Sequence, residues 1–255
     1  MMSSLTGPGR FTSNGIRIPL PLAVNVTSWI MLIGFSLSII LAVLYNFEHT
    51  TETHCRVANY LPSFSAAIAT PPSSYVWRLA VALCSSQRLT AVFGHYSVFS
   101  SLVKATPFYR LLCGLCAVLE MAENVSLLGL TCISSSEYYK AHEFFFVSFQ
   151  ASNMLYMLCI CLLYYQAVHH GARPTKEENH ILTKKLALIV INILAFICAV
   201  YFFFRHNWYC EAGVYSLFAG CEYVVVLTNI AFHQTVSSYF TDRELRLGCR
   251  VKNER

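Results

Sequence analysis

Two long apolar runs separated by a short polar turn constrain this chain more than anything else in it. Leu186 to Phe204, and the stretch from Gly213 to about His233, are each long enough at about 1.5 Å per residue to cross a hydrocarbon core of about 30 Å. Between them, Arg205-His206-Asn207-Trp208-Tyr209-Cys210-Glu211-Ala212-Gly213-Val214-Tyr215 packs a guanidinium, an imidazole, a thiol and a carboxylate into a turn. A bare connector needs only a few turn residues, so this one is either a locked corner or a working site. The composition agrees with a membrane chain: 56% of 255 residues are apolar and only 12% charged. Strands with open edges cannot satisfy their backbone groups in lipid, and a barrel would show alternating ten-residue segments that are absent here. The expectation is an all-α polytopic membrane protein, a six-helix transmembrane bundle with no room for a separate soluble domain.

The expected plan is a cytosolic tail over residues 1–21, a six-span domain over 22–240 and a cytosolic tail over 241–255. The spans fall at about 22–45, 75–102, 111–130, 144–165, 186–204 and 213–236, the first read as a retained signal anchor. The connector from Asn46 to Ser74 is the longest; its three prolines argue for an ordered extramembrane loop, with a short interfacial piece at Phe64 to Ile68. Arg78, Gln87, Arg88 and His95 interrupt the second span. Charge sets the orientation, because Lys and Arg accumulate on the cytosolic side. With six spans, only Arg56, Lys140 and Arg205 of the 18 basic residues fall on the lumenal side, Arg78 and Arg88 lying in the second span. Both termini are therefore expected in the cytosol. Without the second span, the cluster from Arg173 to Lys185 would move to the wrong side.

Three groups of residues follow from that plan. Of 11 cysteines, most lie inside spans; Cys55 and Cys210 are the clear lumenal ones and pair as an expected disulfide, with Cys132 as competing partner. Cys249 near the membrane is a candidate for palmitoylation. Within the membrane, Arg88, Glu123 and Glu222 come to a similar depth, with Glu120 one turn from Glu123. Charge at that depth costs several kcal/mol, so the four are expected to face one another. They form either a structural ion pair with protonated carboxylates, or a polar cavity for a headgroup or for protons. On the lumenal face, all three connectors bring histidine and carboxylate together. That suits proton transfer at a lipid hydroxyl, with His142 or His206 as base and Glu143 or Glu211 to orient it. Arg205, Asn207 and Arg78 are the candidate substrate-binding groups, Arg205 for a phosphate. A zinc site from His49, His54, His142 and His206 has no supporting ligand spacing, and no metal or other cofactor is expected. No phosphate-cradling glycine loop, GxSxG elbow, HExxH motif or nucleic-acid module is present, and the cytosolic loops account for the net charge of +5.

Several segments carry a family resemblance: Asn59-Tyr60-Leu61-Pro62-Ser63 with Ser65-Ala66-Ala67-Ile68, Tyr75-Val76-Trp77-Arg78, Ser134-Ser135-Ser136-Glu137, Arg205 to Tyr215, and Glu222-Tyr223 with Val226-Leu227-Thr228-Asn229. Over nearly the whole chain it resembles the Frag/DRAM/Sfk family of multispan proteins, in particular its Golgi and ER member, and is similar to the amino-terminal part of yeast Cwh proteins. The resemblance implies lipid remodelling of glycosylphosphatidylinositol (GPI) anchors: reacylation of the sn-2 position of lyso-GPI-anchored proteins with a saturated chain, needed for their stable surface expression. It implies an acyltransferase, GPI-anchored proteins and lyso-GPI lipid as partners, an acyl donor that is acyl-CoA or a phospholipid, and Golgi or ER membranes. It supplies no catalytic residues. The rival expectation is a non-enzymatic lipid-binding or escort factor for lyso-GPI-anchored proteins.

Overall fold

The structure, a computed structural model, describes residues 16–102, 106–169, 175–239 and 244–247. Six long helices dominate it: α1 (Leu20–Thr51), α3 (Ser73–Leu102), α4 (Pro107–Cys132), α5 (Tyr139–His169), α6 (Lys176–Tyr209) and α7 (Val214–Gln234). A single-turn helix, α2 (Phe64–Ala67), interrupts the first connector, and a 3₁₀ turn follows α7. α1, α4, α5, α6 and α7 with that turn are long and apolar enough to cross a membrane. α3 is as long but too polar to qualify on composition, because Arg78, Gln87, Arg88 and His95 fall in it.

Each long helix packs against its chain neighbour, and α7 returns to α1, so the bundle closes on itself. Its outer surface is apolar, as a lipid solvent requires: Leu44, Phe93, Leu111 and Phe144 are all largely exposed, whereas the polar groups of the spans turn inward. Two clusters fill the interior. One gathers Tyr156, Met157, Ile160 and Phe232 with Cys113 and Cys116. The other joins Met31, Phe35, Phe64, Trp77 and Phe149. α1 and α3 approach closely at Gly34, where a Cβ would sit 2.5 Å from that of Ala80; small residues at such a crossing let helix backbones meet in lipid.

Local chemistry fixes the helix ends. Thr175 and Glu178 form a reciprocal capping box at the start of α6. Thr106 caps α4, with Pro107 in its first turn. α6 ends at Cys210 in the left-handed region (φ 50°), whose amide donates to the His206 carbonyl, and Gly213 at φ 78° opens α7.

Several expectations need correction. α1 does not stop at Tyr45 but runs to Thr51 through a kink at Asn46, whose side-chain amide donates to the Pro71 carbonyl at 2.9 Å. The hydroxyls of Thr50 and Thr51 donate back to the Asn46 and Phe47 carbonyls in this last stretch. Falling hydropathy marks where lipid ends, not where a helix must end. The Phe64 to Ile68 piece packs into the bundle rather than lying on its surface: Phe64, Ala67 and Ile68 are buried, and the Phe64 ring packs 4.8 Å from both Phe35 and Trp77. Lys185, expected in a cytosolic loop, is fully buried in α6 with Nζ 4.1 Å above the Phe232 ring. A short strand pair, β1 (Ile16–Pro19) antiparallel with β2 (Glu244–Leu247), adds to the helices without changing the all-α class. Residues 1–15 and Cys249 lie outside the described residues.

Candidate functional site

All three connectors that link α1 to α3, α4 to α5 and α6 to α7 gather at one end of the bundle. Cys55 and Cys210 are joined in a disulfide across 155 residues, while Cys132 is a free, exposed thiol. Around that bridge the first connector is stitched to the start of α7. The Gly213 amide donates to the Ala58 carbonyl at 2.9 Å, the Tyr60 amide to Ser216 Oγ at 2.7 Å, and the Tyr223 hydroxyl to the Pro62 carbonyl at 2.6 Å. The α2 turn is thereby pressed onto α7, where Glu222 Oε2 accepts from the Phe64 amide at 2.9 Å.

Beside this turn lies a cavity of about 500 Å³. Its deep wall is apolar, formed by Phe146 and Val147 of α5, Phe196, Val200 and Phe203 of α6, and Phe218 of α7. Its polar end collects His49, Ser63, Ser65, Ser135, Ser136, His142, Glu143 and Glu222. The shape, a large apolar volume with a few convergent polar groups, is that of a ligand site.

His142 is the buried centre of the polar end. Nδ1 lies 2.7 Å from the Ile133 carbonyl and Nε2 lies 2.9 Å from Ser65 Oγ. A carbonyl only accepts, so Nδ1 carries a proton, and in the neutral form of the ring Nε2 holds the lone pair that faces the Ser65 hydroxyl. The ring is thus held in the tautomer of a general base. Its orienting group is a backbone carbonyl, not the carboxylate expected for it. Glu143 lines the same cavity but makes no hydrogen bond to His142 among the described residues.

The other sequence candidates fall elsewhere. His206 is buried at the disulfide end, its Nε2 3.0 Å from Thr53 Oγ1, and it does not line the cavity. Glu211 does not orient it. Instead, Glu211 accepts from Arg205 Nε and Nη2 at 2.8 and 3.1 Å, and Arg205 also donates to the Tyr201 hydroxyl at 3.0 Å. The Arg205 fork is therefore spent on its neighbours rather than open to a phosphate. Asn207 is half-buried outside the cavity lining. Arg78 donates to the carbonyls of Thr131 and Cys132 at the last turn of α4 and sits 3.8 Å from Glu137, where a cation complements the helix end. Ser134 in turn donates its backbone amide to Glu137, and this contact holds the Glu137 carboxyl below the usual range. His54, Cys55 and His206 are near enough to share an ion, but Cys55 Sγ is bound to Cys210, which leaves two nitrogen donors.

The intramembrane residues fall into three separate settings rather than meeting as four. Arg88 Nη2 lies 2.9 Å from Glu123 Oε1, and the same oxygen receives His233 Nε2 at 2.8 Å and Asn229 Nδ2 at 2.9 Å. Arg88 Nε also donates to Asn124 Oδ1 at 2.6 Å, and Asn229 continues to Asn153. Glu120 belongs to a neighbouring pair, its carboxylate 2.8 Å from His95 Nδ1 with both side chains buried. Glu222 is not part of this network: it faces α2 and the cavity. The sequence reading missed Ser65, His95, Asn153, Asn229 and His233 as partners. Polar residues inside apolar runs were the available signal for the last four. Ser65 had only its place in a Pro-bounded segment.

This fold and site define a multi-pass, all-α membrane protein with a cavity of about 500 Å³ beside a disulfide-clamped connector. The chain belongs to the family described as the Frag1/DRAM/Sfk1/Cwh43P N-terminal domain, which matches residues 18–242. It is 37% identical over 217 residues to "Acyltransferase PGAP2" of Xenopus tropicalis, covering 85% of each chain. It is 38% identical to the protein of that name from Danio rerio, over 78% of this chain and 85% of the relative. It is likewise 38% identical to "Post-GPI attachment to proteins factor 2" of Caenorhabditis elegans, over 82% and 81% of the two chains. No solved structure matches the chain.

Proposed function

We propose that this chain acts in GPI-anchor lipid remodelling in the secretory pathway, as an acyltransferase that restores a saturated chain to the sn-2 hydroxyl of lyso-GPI-anchored proteins. The observation that carries this reading is the cavity: a mostly apolar lining that includes the buried, hydrogen-bonded His142. The names of the Xenopus and Danio relatives support the reaction class, and that of the Caenorhabditis relative supports the pathway.

In this reading α3 is a sixth span and both termini are cytosolic. Supporting it, α3 turns Leu79, Leu83 and Phe93 outward while Arg88 and His95 point into the bundle, as a spanning helix with polar residues must. The cap with its disulfide then faces the oxidising lumen of the Golgi or ER, on the leaflet that holds the anchor. The lyso-GPI headgroup rests among the hydroxyls of Ser135 and Ser136, and the acyl chain lies along Phe146, Phe196 and Phe203. His142 Nε2 takes the proton of the hydroxyl that attacks the acyl carbonyl, a step worth about 10²- to 10⁴-fold in rate.

Purified protein in liposomes with lyso-GPI and a stearoyl phospholipid or stearoyl-CoA tests the proposal. Sn-2 stearoyl-GPI formed by the wild type and lost in His142→Gln at unchanged fold is the expected result. No product from folded wild type with either donor overturns the enzymatic reading and leaves the escort role.

A further inference from the structure

We propose that Ser65 is an acyl-carrying nucleophile, so that the transfer runs in two half-reactions through an ester on this side chain. The inference rests on the acyl-transfer reading of the same cavity and adds a residue and an intermediate to it.

Three observations point to Ser65. Its Oγ is 2.9 Å from His142 Nε2, the nitrogen that accepts in the neutral ring because Nδ1 carries the proton given to the Ile133 carbonyl. This is nucleophile, base and orienter in one line, the arrangement that activates a serine, with a backbone carbonyl in the place usually held by a carboxylate. Ser65 also lines the cavity, with the apolar wall ahead of it. Finally, its position is enforced from both sides. The neighbouring Phe64 amide is held by Glu222, Ser63 Oγ accepts from the Ala66 amide, and the Phe64 ring is wedged between Phe35 and Trp77. A serine on a mobile loop would leave the histidine to solvent, whereas this one is fixed on a buried turn.

A cavity of about 500 Å³ with an apolar wall gives an acyl chain esterified to Ser65 a place to rest. Direct transfer needs donor and acceptor lipids present together, while a serine ester lets one chain stay as its two glycerol partners exchange.

The steps balance without an oxidant or a metal. Ser65 Oγ attacks the carbonyl carbon of a glycerophospholipid acyl ester as its proton passes to His142 Nε2. The tetrahedral species collapses, the bond to the glycerol oxygen breaks, and His142 returns the proton to that oxygen, which releases a lysophospholipid. The sn-2 hydroxyl of the lyso acceptor then gives its proton to Nε2 and attacks the Ser65 ester. Ser65 leaves as the alkoxide and is reprotonated by His142.

The test uses full-length protein in nanodiscs containing distearoyl-phosphatidylcholine. Incubation without acceptor should add one stearoyl group per chain, located on Ser65 by peptide mass spectrometry and removed by hydroxylamine. Ser65→Ala should abolish the adduct and lower turnover of lyso-GPI at least 100-fold. Ser65→Cys should give a thioester adduct in place of the ester, which guards against a fold defect in the alanine variant. Turnover retained in Ser65→Ala, or turnover in wild type without an adduct, overturns this inference and leaves the acyltransferase reading intact. An adduct on Ser65 that is never passed to lyso-GPI overturns the acceptor assignment and keeps the nucleophile. Neither adduct nor turnover in folded protein overturns both.

Discussion

The two polar regions of this bundle are built on opposite logic. The Arg88–Glu123 network is sealed among helices and crowded with mutual partners: one carboxylate oxygen receives an arginine, a histidine and an asparagine. The cavity region has a histidine of the same chemical kind, but its free nitrogen meets a single hydroxyl and then open space. Burial alone therefore does not mark a working residue in a membrane protein. A carboxylate oxygen shared by three donors from two neighbouring helices holds those helices in register, whereas a base with one small, displaceable partner beside a cavity is available to a ligand.

The largest expected effect breaks the sealed side. Arg88→Ala leaves Glu123 without its cation, and removing one member of a buried pair costs roughly 3–5 kcal/mol. Folded protein should be nearly lost, as read by fluorescence-detected size exclusion. The paired change Arg88→Met with Glu123→Leu should recover a large part of it. If that double variant folds but loses reacylation, the network is functional and the contrast fails. Next, on the open side, His142→Gln should lower turnover by about 10²- to 10⁴-fold while costing only roughly 1–2 kcal/mol of thermal stability, the scale of one unmade buried hydrogen bond. Stability loss comparable to Arg88→Ala would place His142 among the structural residues.

Smaller effects refine the cavity. Val200→Trp fills the apolar end and should shorten the accepted chain. It should favour lauroyl over stearoyl donors by about 10-fold in competition, within the 1–3 kcal/mol that a few methylenes contribute to selectivity. The smallest effect concerns the outer corner. Arg205 and Glu211 form a half-exposed pair, and such pairs contribute about 0–1 kcal/mol. Glu211→Gln should shift the melting temperature by no more than a few degrees and leave turnover within twofold. A collapse of activity would return Arg205 to the list of substrate-binding groups.

Much of the architecture was legible because lipid imposes simple rules. Apolar runs announced α1, α4, α5, α6 and α7, and the residues expected as a second span form the helix α3. Cys55 and Cys210 were found because few thiols lie outside the spans. The site was harder to read. His142 was visible as a histidine at a helix start, but its partner Ser65 lies 77 residues away on a turn with no periodicity to betray it. Arg205 and Glu211 looked convergent with the histidines, yet they are six residues apart and close on each other first. Composition places charges at a depth. It does not say which neighbour each will choose, and that misdirected the grouping of Glu222 with Arg88.

The cap's disulfide has a consequence for how the molecule is made. Cys55 emerges 155 residues before Cys210, an interval of roughly 8–30 s at ordinary elongation rates, and Cys132 appears between them. Thiol oxidation proceeds over seconds to hours. Cys55 must therefore wait as a thiol until Cys210 has been made, so the clamp on the cap is among the last covalent links the chain can form.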